Sequence, residues 1–234
     1  MPAEGELMKT LACLIVTMGA IQTATAADAN PYAAMAPIDQ YRMARADEIA
    51  LARSAAPASV AEHAEVLVLG DHGFEVAVKG TNGFVCSVGR SWDMGFDNPE
   101  FWNPKIRSAM CNNAVAAHSV LPRFLTRAEW VVAGVSKGEI QKREAAAWAS
   151  GKYQAPESGA MCYMMAKGAR INDAVGHWHP HVMFYLPRTD DAAWGANQTD
   201  SPVAADSTNF EHTSIFMVIV GNWSDGTPAP IHSR

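Results

Sequence analysis

Apolar and polar positions alternate with a period of two in three short stretches of the first half of the chain, which predicts β-strands. Turn-forming residues separate the stretches, with Asp71-His72-Gly73 after the first and Thr81-Asn82-Gly83 before the third. The three stretches are residues 64–70, 74–79 and 84–88. Because the connections are short, the pattern predicts a three-stranded antiparallel meander.

Helical periodicity is found on both sides of this meander. Residues 39–54 form one predicted helix, which Asp39 is placed to cap. Residues 113–134 are helical in pattern, with an interruption at Pro122. Ser136 is followed three residues later by a glutamate, which is typical of a capping box and predicts a helix that ends near residue 150.

Three further apolar stretches in the second half of the chain predict strands over residues 160–165, 177–186 and 214–220. Grouped strands, then helices, then grouped strands are typical of an α+β fold. We therefore predict a single domain over residues 38–234, with an antiparallel sheet of about six strands and helices packed on one side.

The N-terminal region has the pattern of a secretory signal peptide. Lys9 precedes the apolar run of residues 11–21, and small residues follow at positions 24–27. The run is shorter than the roughly 20 residues that a membrane span needs. We expect a leader over residues 1–26, a loose segment over residues 27–37, and a periplasmic or secreted protein with no membrane attachment after cleavage.

The charge of the chain restricts its partners. The formal net charge is −6, and no cluster of lysine and arginine is dense enough for a nucleic-acid or anionic-membrane surface. No glycine-rich phosphate loop is present, so a nucleotide cofactor is not expected. A small molecule is the partner that remains.

Three cysteines remain after the predicted leader, Cys86, Cys111 and Cys162. An oxidising compartment permits one disulfide bond, and we favour the pairing of Cys86 with Cys111. The alternative is a catalytic Cys162 or a mixed cysteine and histidine metal site, but no CxxC spacing supports it.

A long irregular segment over residues 90–107 is rich in aromatic residues. Loops of this length are uncommon unless they shape a site or cover one. We predict a substrate pocket with Trp92 and Trp102 from this segment and with Trp178 and Tyr185 from the later strand. The alternative is that these aromatic side chains anchor the loop on the core.

The motif Gly176-His177-Trp178-His179-Pro180-His181 carries the most specific chemistry. On a strand, His177, His179 and His181 share one face, with about 7 Å between neighbouring positions. Imidazole is the commonest protein ligand for transition metals. This pattern predicts a site for zinc, copper or iron.

Three ligands in a row on one strand are awkward, because the outer two are about 13 Å apart. A distant residue is therefore expected to complete the site, and we favour His212. The other candidates are His118, His72, Glu75 and Glu211. Metal-free contacts with a substrate and a purely structural role for the histidines remain open.

Four phrases of the chain look like phrases shared by a group of exported bacterial proteins. They are Asn82-Gly83-Phe84-Val85-Cys86, Phe101-Trp102-Asn103-Pro104-Lys105-Ile106-Arg107, Trp178-His179-Pro180-His181-Val182-Met183-Phe184-Tyr185 and Asn222-Trp223-Ser224-Asp225-Gly226-Thr227-Pro228. The resemblance covers most of the predicted mature chain. It implies no activity and no catalytic residues, because that group has no assigned function.

Two classes of function fit these patterns. The first is an exported metal-dependent enzyme, a hydrolase or an oxidoreductase, that acts on a small molecule. The second is a periplasmic binding or sensory module that holds a small molecule without catalysis. The sequence assigns no catalytic residue in either class.

Overall fold

The computed structural model of the protein describes residues 30–177, 179–207 and 212–230. The predicted leader, Trp178 and Glu211 lie outside these described residues. The described part of the predicted loose segment makes contacts with the domain, since Tyr32 donates a hydrogen bond from its hydroxyl to Asp173.

The described residues contain eight strands and five α-helices, as well as three short 3₁₀ turns. The strands are β1 (Glu65–Leu69), β2 (Phe74–Val78), β3 (Val85–Gly89), β4 (Ser108–Asn112), β5 (Met161–Met164), β6 (His181–Pro187), β7 (Val203–Asp206) and β8 (Thr213–Ile219). The helices are α1 (Arg45–Arg53), α2 (Ala58–Ala61), α3 (Ala114–Ser119), α4 (Leu121–Val132) and α5 (Lys137–Ala149). The fold therefore mixes helices and strands, as predicted.

All eight strands belong to one open sheet with the order β2-β1-β3-β4-β5-β6-β8-β7. The prediction of about six purely antiparallel strands was wrong, because β4 and β7 were missed and β3 runs parallel to β1. The predicted meander is thus only a hairpin of β1 and β2. After β2 the chain crosses to the other side of β1, where Glu65 donates a backbone hydrogen bond to the carbonyl of Phe84.

Helices cover both faces of the sheet, which corrects the prediction that they lie on one side. Cys111 packs with Cys86 and with Ala52 of α1 in one buried cluster. The neighbouring Met110 packs with Phe124 of α4 in another. Successive residues of a strand point to opposite faces, so β4 is buried on both of its faces.

The helix predicted over residues 39–54 is interrupted. Residues Ile38–Tyr41 form a 3₁₀ turn, Arg42 is extended, and α1 begins at Arg45. The reason is Tyr41, which is fully buried and donates its hydroxyl to the carbonyl of Trp102 at 2.8 Å. Burial of this side chain against the loop competes with the local preference for a continuous helix.

The other helix predictions are confirmed. Pro122 lies in the first turn of α4 and separates it from α3, because proline cannot donate the backbone hydrogen bond of a continuous helix. Ser136 caps α5, and its hydroxyl accepts a hydrogen bond from the N–H of Glu139 at 3.4 Å. None of the helices in the described ranges is long and apolar enough to cross a membrane.

Candidate functional site

The histidine motif does not form a continuous strand. Strand β6 begins at His181, so His177 and His179 lie in the preceding loop. His177 is exposed, with its ring 5.8 Å from that of Trp223, whereas His179 is half-buried. Pro180 explains the late start, because it has no N–H to donate to a neighbouring strand. The predicted alternation of three histidines on one strand face is therefore wrong.

The candidates for a fourth ligand lie apart from His181. His212 stacks on Trp148 at 4.3 Å, and it precedes Thr213 at the start of β8. Because Thr213 pairs with Pro187 and His181 pairs with Ile219, about 20 Å of strand separates the two histidines. The structure thus does not bring His212 to the histidine motif.

Of the four other candidates, Glu211 is outside the described residues, and the other three have their own surroundings elsewhere. Glu75 belongs to edge strand β2, five strands from β6, and pairs with Arg45 at 2.5 Å. His72 lies in the adjoining turn, whereas His118 pairs with Glu157 at 2.7 Å. Within the described residues, no group of three histidine, cysteine, aspartate or glutamate side chains is arranged to hold a metal ion.

The aromatic residues predicted to line one pocket lie in two different places in the structure. Trp92 and Trp102 are buried with Tyr41 in a core cluster beneath α4 and α5. They anchor the loop over residues 90–107, as the alternative interpretation had it. Tyr185 lies instead in a cleft over the sheet.

This cleft has a volume of about 280 Å³. One face of strands β4 to β8 forms its floor. Residues of the floor are cross-strand partners: Met164 pairs with His181 and Met183 pairs with Met217. Ile215 of β8 pairs with Tyr185 on one side and with Asp206 on the other. Phe124 of α4 and the segment Asp93–Gly95 form walls, and Asn98 and Asn172 lie at the rim. The lining is mainly apolar with a few convergent polar groups, which is typical of small-molecule sites.

Asp93 is the polar group that stands out in this cleft. It ends a 3₁₀ turn, and its Oδ2 accepts a hydrogen bond from the backbone N–H of Arg90 at 3.1 Å. Gly89 makes room for the carboxyl group, because a Cβ at that position would lie 2.5 Å from Oδ2. Oδ1 is buried and accepts no hydrogen bond from any described group.

Burial raises the pKa of Asp93 to about 6, from an ordinary value of 3.8. The nearby guanidinium groups act in the opposite direction, first that of Arg127 and then those of Arg90 and Arg123. A carboxyl group that titrates near neutral pH in a cleft is a common property of functional sites.

The two arginines nearest to the loop support it and are not available for a ligand. Arg90 is fully buried, pairs with Glu48 at 2.8 Å, and donates to the carbonyls of Tyr41 and Val88. Arg127 is paired through two nitrogens with Glu144. These ion pairs fix the backbone on both sides of Asp93.

The aspartate should leave a signature in the pH dependence of stability. The folded protein retains a proton that the unfolded chain has lost, so the free energy of unfolding should fall as the pH rises from about 4 to about 6. The change amounts to at most about 3 kcal/mol. Urea unfolding at a series of pH values should show this fall in the wild type and a weaker fall in Asp93→Asn.

Exposed Asp97 in the same loop supplies the control for this measurement. Asp97→Asn should keep the pH dependence of the wild type. Identical pH profiles for the wild type and Asp93→Asn would show that the Asp93 carboxyl is not the titrating group.

His181 and Tyr185 are buried on the floor of the cleft. The Nδ1 atom of His181 lies 2.8 Å from the carbonyl oxygen of His179, and burial lowers the pKa of the imidazole. The hydroxyl of Tyr185 lies 3.3 Å from Sγ of Cys162. Burial raises the pKa of this thiol to about 12, which does not favour Cys162 as a nucleophile.

The preferred cysteine pairing is present in the structure. Cys86 and Cys111 form a disulfide bond between β3 and β4, and Cys162 is a buried free thiol. A disulfide bond is compatible with an exported protein.

A second cavity of about 300 Å³ lies between α3, α4 and the segment after α5. Its lining includes Trp148, Lys152, Tyr153 and the pair of His118 with Glu157. Burial lowers the pKa of Arg123 in its wall to about 10, which leaves the guanidinium charged at neutral pH.

Sequence reasoning missed Asp93 as a functional residue. Asp93 is the third residue of a 3₁₀ turn, and its carboxylate accepts a hydrogen bond from the backbone N–H of Arg90, the residue before the turn. This is the pattern of an ordinary capping residue. Only the enclosure of its second oxygen by other elements distinguishes it. Comparison with known proteins adds no homology to this geometry, because no family model, no curated protein and no solved structure matches the chain.

Proposed function

We propose that this protein is an exported small-molecule-binding protein whose ligand occupies the cleft beside Asp93. The observation that carries the proposal is the buried Oδ1 atom of Asp93, which accepts no hydrogen bond from the described residues. A buried acceptor without a donor costs about 1–3 kcal/mol. A ligand with a hydrogen-bond donor would offset that cost.

The lining suggests the chemical class of the ligand. Five methionines, two isoleucines and two aromatic residues line the cleft, so the ligand is mainly apolar. The two arginines nearest to Asp93 are already paired with Glu48 and Glu144, so neither of them favours an anionic ligand. An uncharged molecule with a hydroxyl or amide donor fits this setting best.

A second candidate is an enzyme that acts on the same ligand. Asp93 has a pKa of about 6, which suits a general acid or base near neutral pH. The sequence prediction of metal dependence connects to this candidate through His181, which lies on the floor of the same cleft.

Matched pairs of probes test the proposal. Benzyl alcohol carries the donor and toluene does not, and calorimetry should detect tighter binding of the alcohol at pH 7. Asp93→Asn keeps an acceptor oxygen but replaces the carboxylate with a neutral amide, and Asp93→Leu removes the acceptor. We expect Asp93→Leu to reduce the preference for the alcohol by about tenfold, the effect of one hydrogen bond to a charged group.

The controls separate the site from the fold. Asp97→Asn should bind both probes as the wild type does. Equal affinity of the wild type for the two probes, or an unchanged preference in Asp93→Leu, would contradict the proposed role of Asp93.

A further inference from the structure

The floor of the cleft brings together several thioether groups and one imidazole. Met164 of β5 is the direct cross-strand partner of His181, and Met183 is the direct partner of Met217 of β8. Directly opposed Cβ atoms are about 5 Å apart, and same-face neighbours on one strand are about 7 Å apart. The side chains of all four residues line one cleft.

The orientation of His181 is set by its neighbour. A carbonyl oxygen can only accept, so Nδ1 of His181 carries the proton in the 2.8 Å hydrogen bond to His179. The lone pair of the imidazole is therefore on Nε2. A backbone carbonyl that fixes the tautomer in this way is typical of histidines that bind metal ions.

We propose that Nε2 of His181 and the Sδ atoms of Met164 and Met183 bind one copper(I) ion, with Met217 next to them. Thioethers are soft ligands, and soft ligands select copper(I) over the harder divalent ions. Zinc prefers thiolate, imidazole and carboxylate ligands, and this set contains only one of those groups. The proposal goes beyond the small-molecule function, because it assigns the thioether and imidazole groups of the cleft to a metal ion, whereas the small-molecule proposal is carried by Asp93.

The proposed ligands differ from those that the sequence predicted for a metal site. That prediction used His177, His179, His181 and His212, and the structure brings only His181 into the cleft. The described residues hold no group of three histidine, cysteine or carboxylate side chains that could bind one ion. Thioethers are outside that set, and on the sheet they are the neighbours of His181.

The alternative is that the methionines are ordinary packing residues. Methionine often fills irregular core gaps, and Met217 packs beside Phe124 and Tyr185 in a buried cluster. Packing accounts for apolar side chains on the floor. It does not account for a buried imidazole, 1 % exposed, placed directly opposite one of these thioethers.

Anaerobic titration with copper(I), in competition with the chelator bicinchoninate and without thiols, tests the proposal on the purified protein with its disulfide intact. We expect one copper(I) ion per chain. Met164→Leu and Met183→Leu preserve side-chain volume, and each should weaken binding at least about tenfold, since even loss of a group that only orients a ligand has such an effect.

Met161→Leu is the matched control, because Met161 is on the same strand but pairs with Phe184 on the opposite face of the sheet. It should bind copper(I) as the wild type does. Absence of stoichiometric copper(I), unchanged affinity in both methionine variants, or equal weakening by Met161→Leu would overturn the proposal.

Discussion

Replacing Arg127 with methionine is expected to lower the free energy of unfolding by about 3–5 kcal/mol, the usual cost of leaving one charge of a buried ion pair without its partner. Arg127 is 3 % exposed, and its guanidinium is paired through two nitrogens with Glu144 of α5. The third nitrogen donates to the carbonyls of Trp92 and Met94 at 2.6 and 2.9 Å. Chemical denaturation at pH 7 measures the loss.

Helix α5, which carries Glu144, provides a control at an exposed position. Arg143 pairs with Glu139 at 3.0 Å, and both side chains are more than a third exposed, so Arg143→Met should change stability by less than about 1 kcal/mol. Adding Glu144→Met to Arg127→Met should recover part of the loss, because no buried charge is then left alone. Equal effects of the two arginine variants would show that the buried pair contributes no more than a surface pair.

The position of Arg127 also connects stability to the cleft. Its two backbone acceptors, Trp92 and Met94, flank Asp93 directly. Ionising Asp93 is unfavourable at its buried position, despite three nearby guanidinium groups. The fold therefore uses buried ion pairs to hold a carboxyl group in a place that it would not otherwise occupy, and such local instability is typical of functional sites.

Strands with a clear alternating pattern were predictable from the sequence, whereas two others were not. β4 has the sequence Ser-Ala-Met-Cys-Asn, which lacks the β-branched and aromatic residues of a typical strand. It is nevertheless a central strand, because α1 packs on its small residue Ala109 from one side and α4 packs on Met110 from the other. β7 has only four residues, Val-Ala-Ala-Asp, of which only Val203 is β-branched. Tertiary packing, and not local propensity, selects both strands.

The parallel pairing of β1 with β3 has a similar explanation. The local sequence contains two short turns, and these predict hairpins. The first turn does form one, with Gly73 at a φ of +124°. After the second turn, β3 pairs with β1 on the side that β2 leaves free, and β4 then covers its other edge. That choice depends on strands that come much later in the chain.

The residue types of part of the candidate site could be recognised in the sequence, but their arrangement in space could not. The histidine motif runs into β6, and His181 and Tyr185 of that strand both line the cleft. The cross-strand partner of His181 on β5 is Met164, and the separation of these two residues in the sequence carries no sign of the contact. Asp93 was likewise hidden, because its burial depends on Gly89 and on α4.

Removal of the disulfide bond is expected to destabilise the protein by about 3 kcal/mol, because the bond closes a loop of intermediate length and restricts the unfolded chain. Cys86 and Cys111 are 25 residues apart in sequence and are fully buried between β3 and β4. For a chain of this size the loss corresponds to a fall in Tm of roughly 6–12 °C. Thermal unfolding of the double variant Cys86→Ala, Cys111→Ala measures it.

The free thiol supplies the comparison for this effect. Cys162→Ala removes a buried sulfur without opening a loop, so its smaller cost reports the loss of packing and of the contact with the Tyr185 hydroxyl. The closed loop contains the whole segment that carries Asp93, and that segment is also held by Arg90 and Arg127. Because the ion pairs act on the folded state and the disulfide acts on the unfolded state, the double cysteine variant should keep the pH dependence that Asp93 causes. Loss of that pH dependence would show that the disulfide also holds the folded loop. A cost no larger than that of Cys162→Ala would show that the disulfide adds no stabilisation through chain entropy.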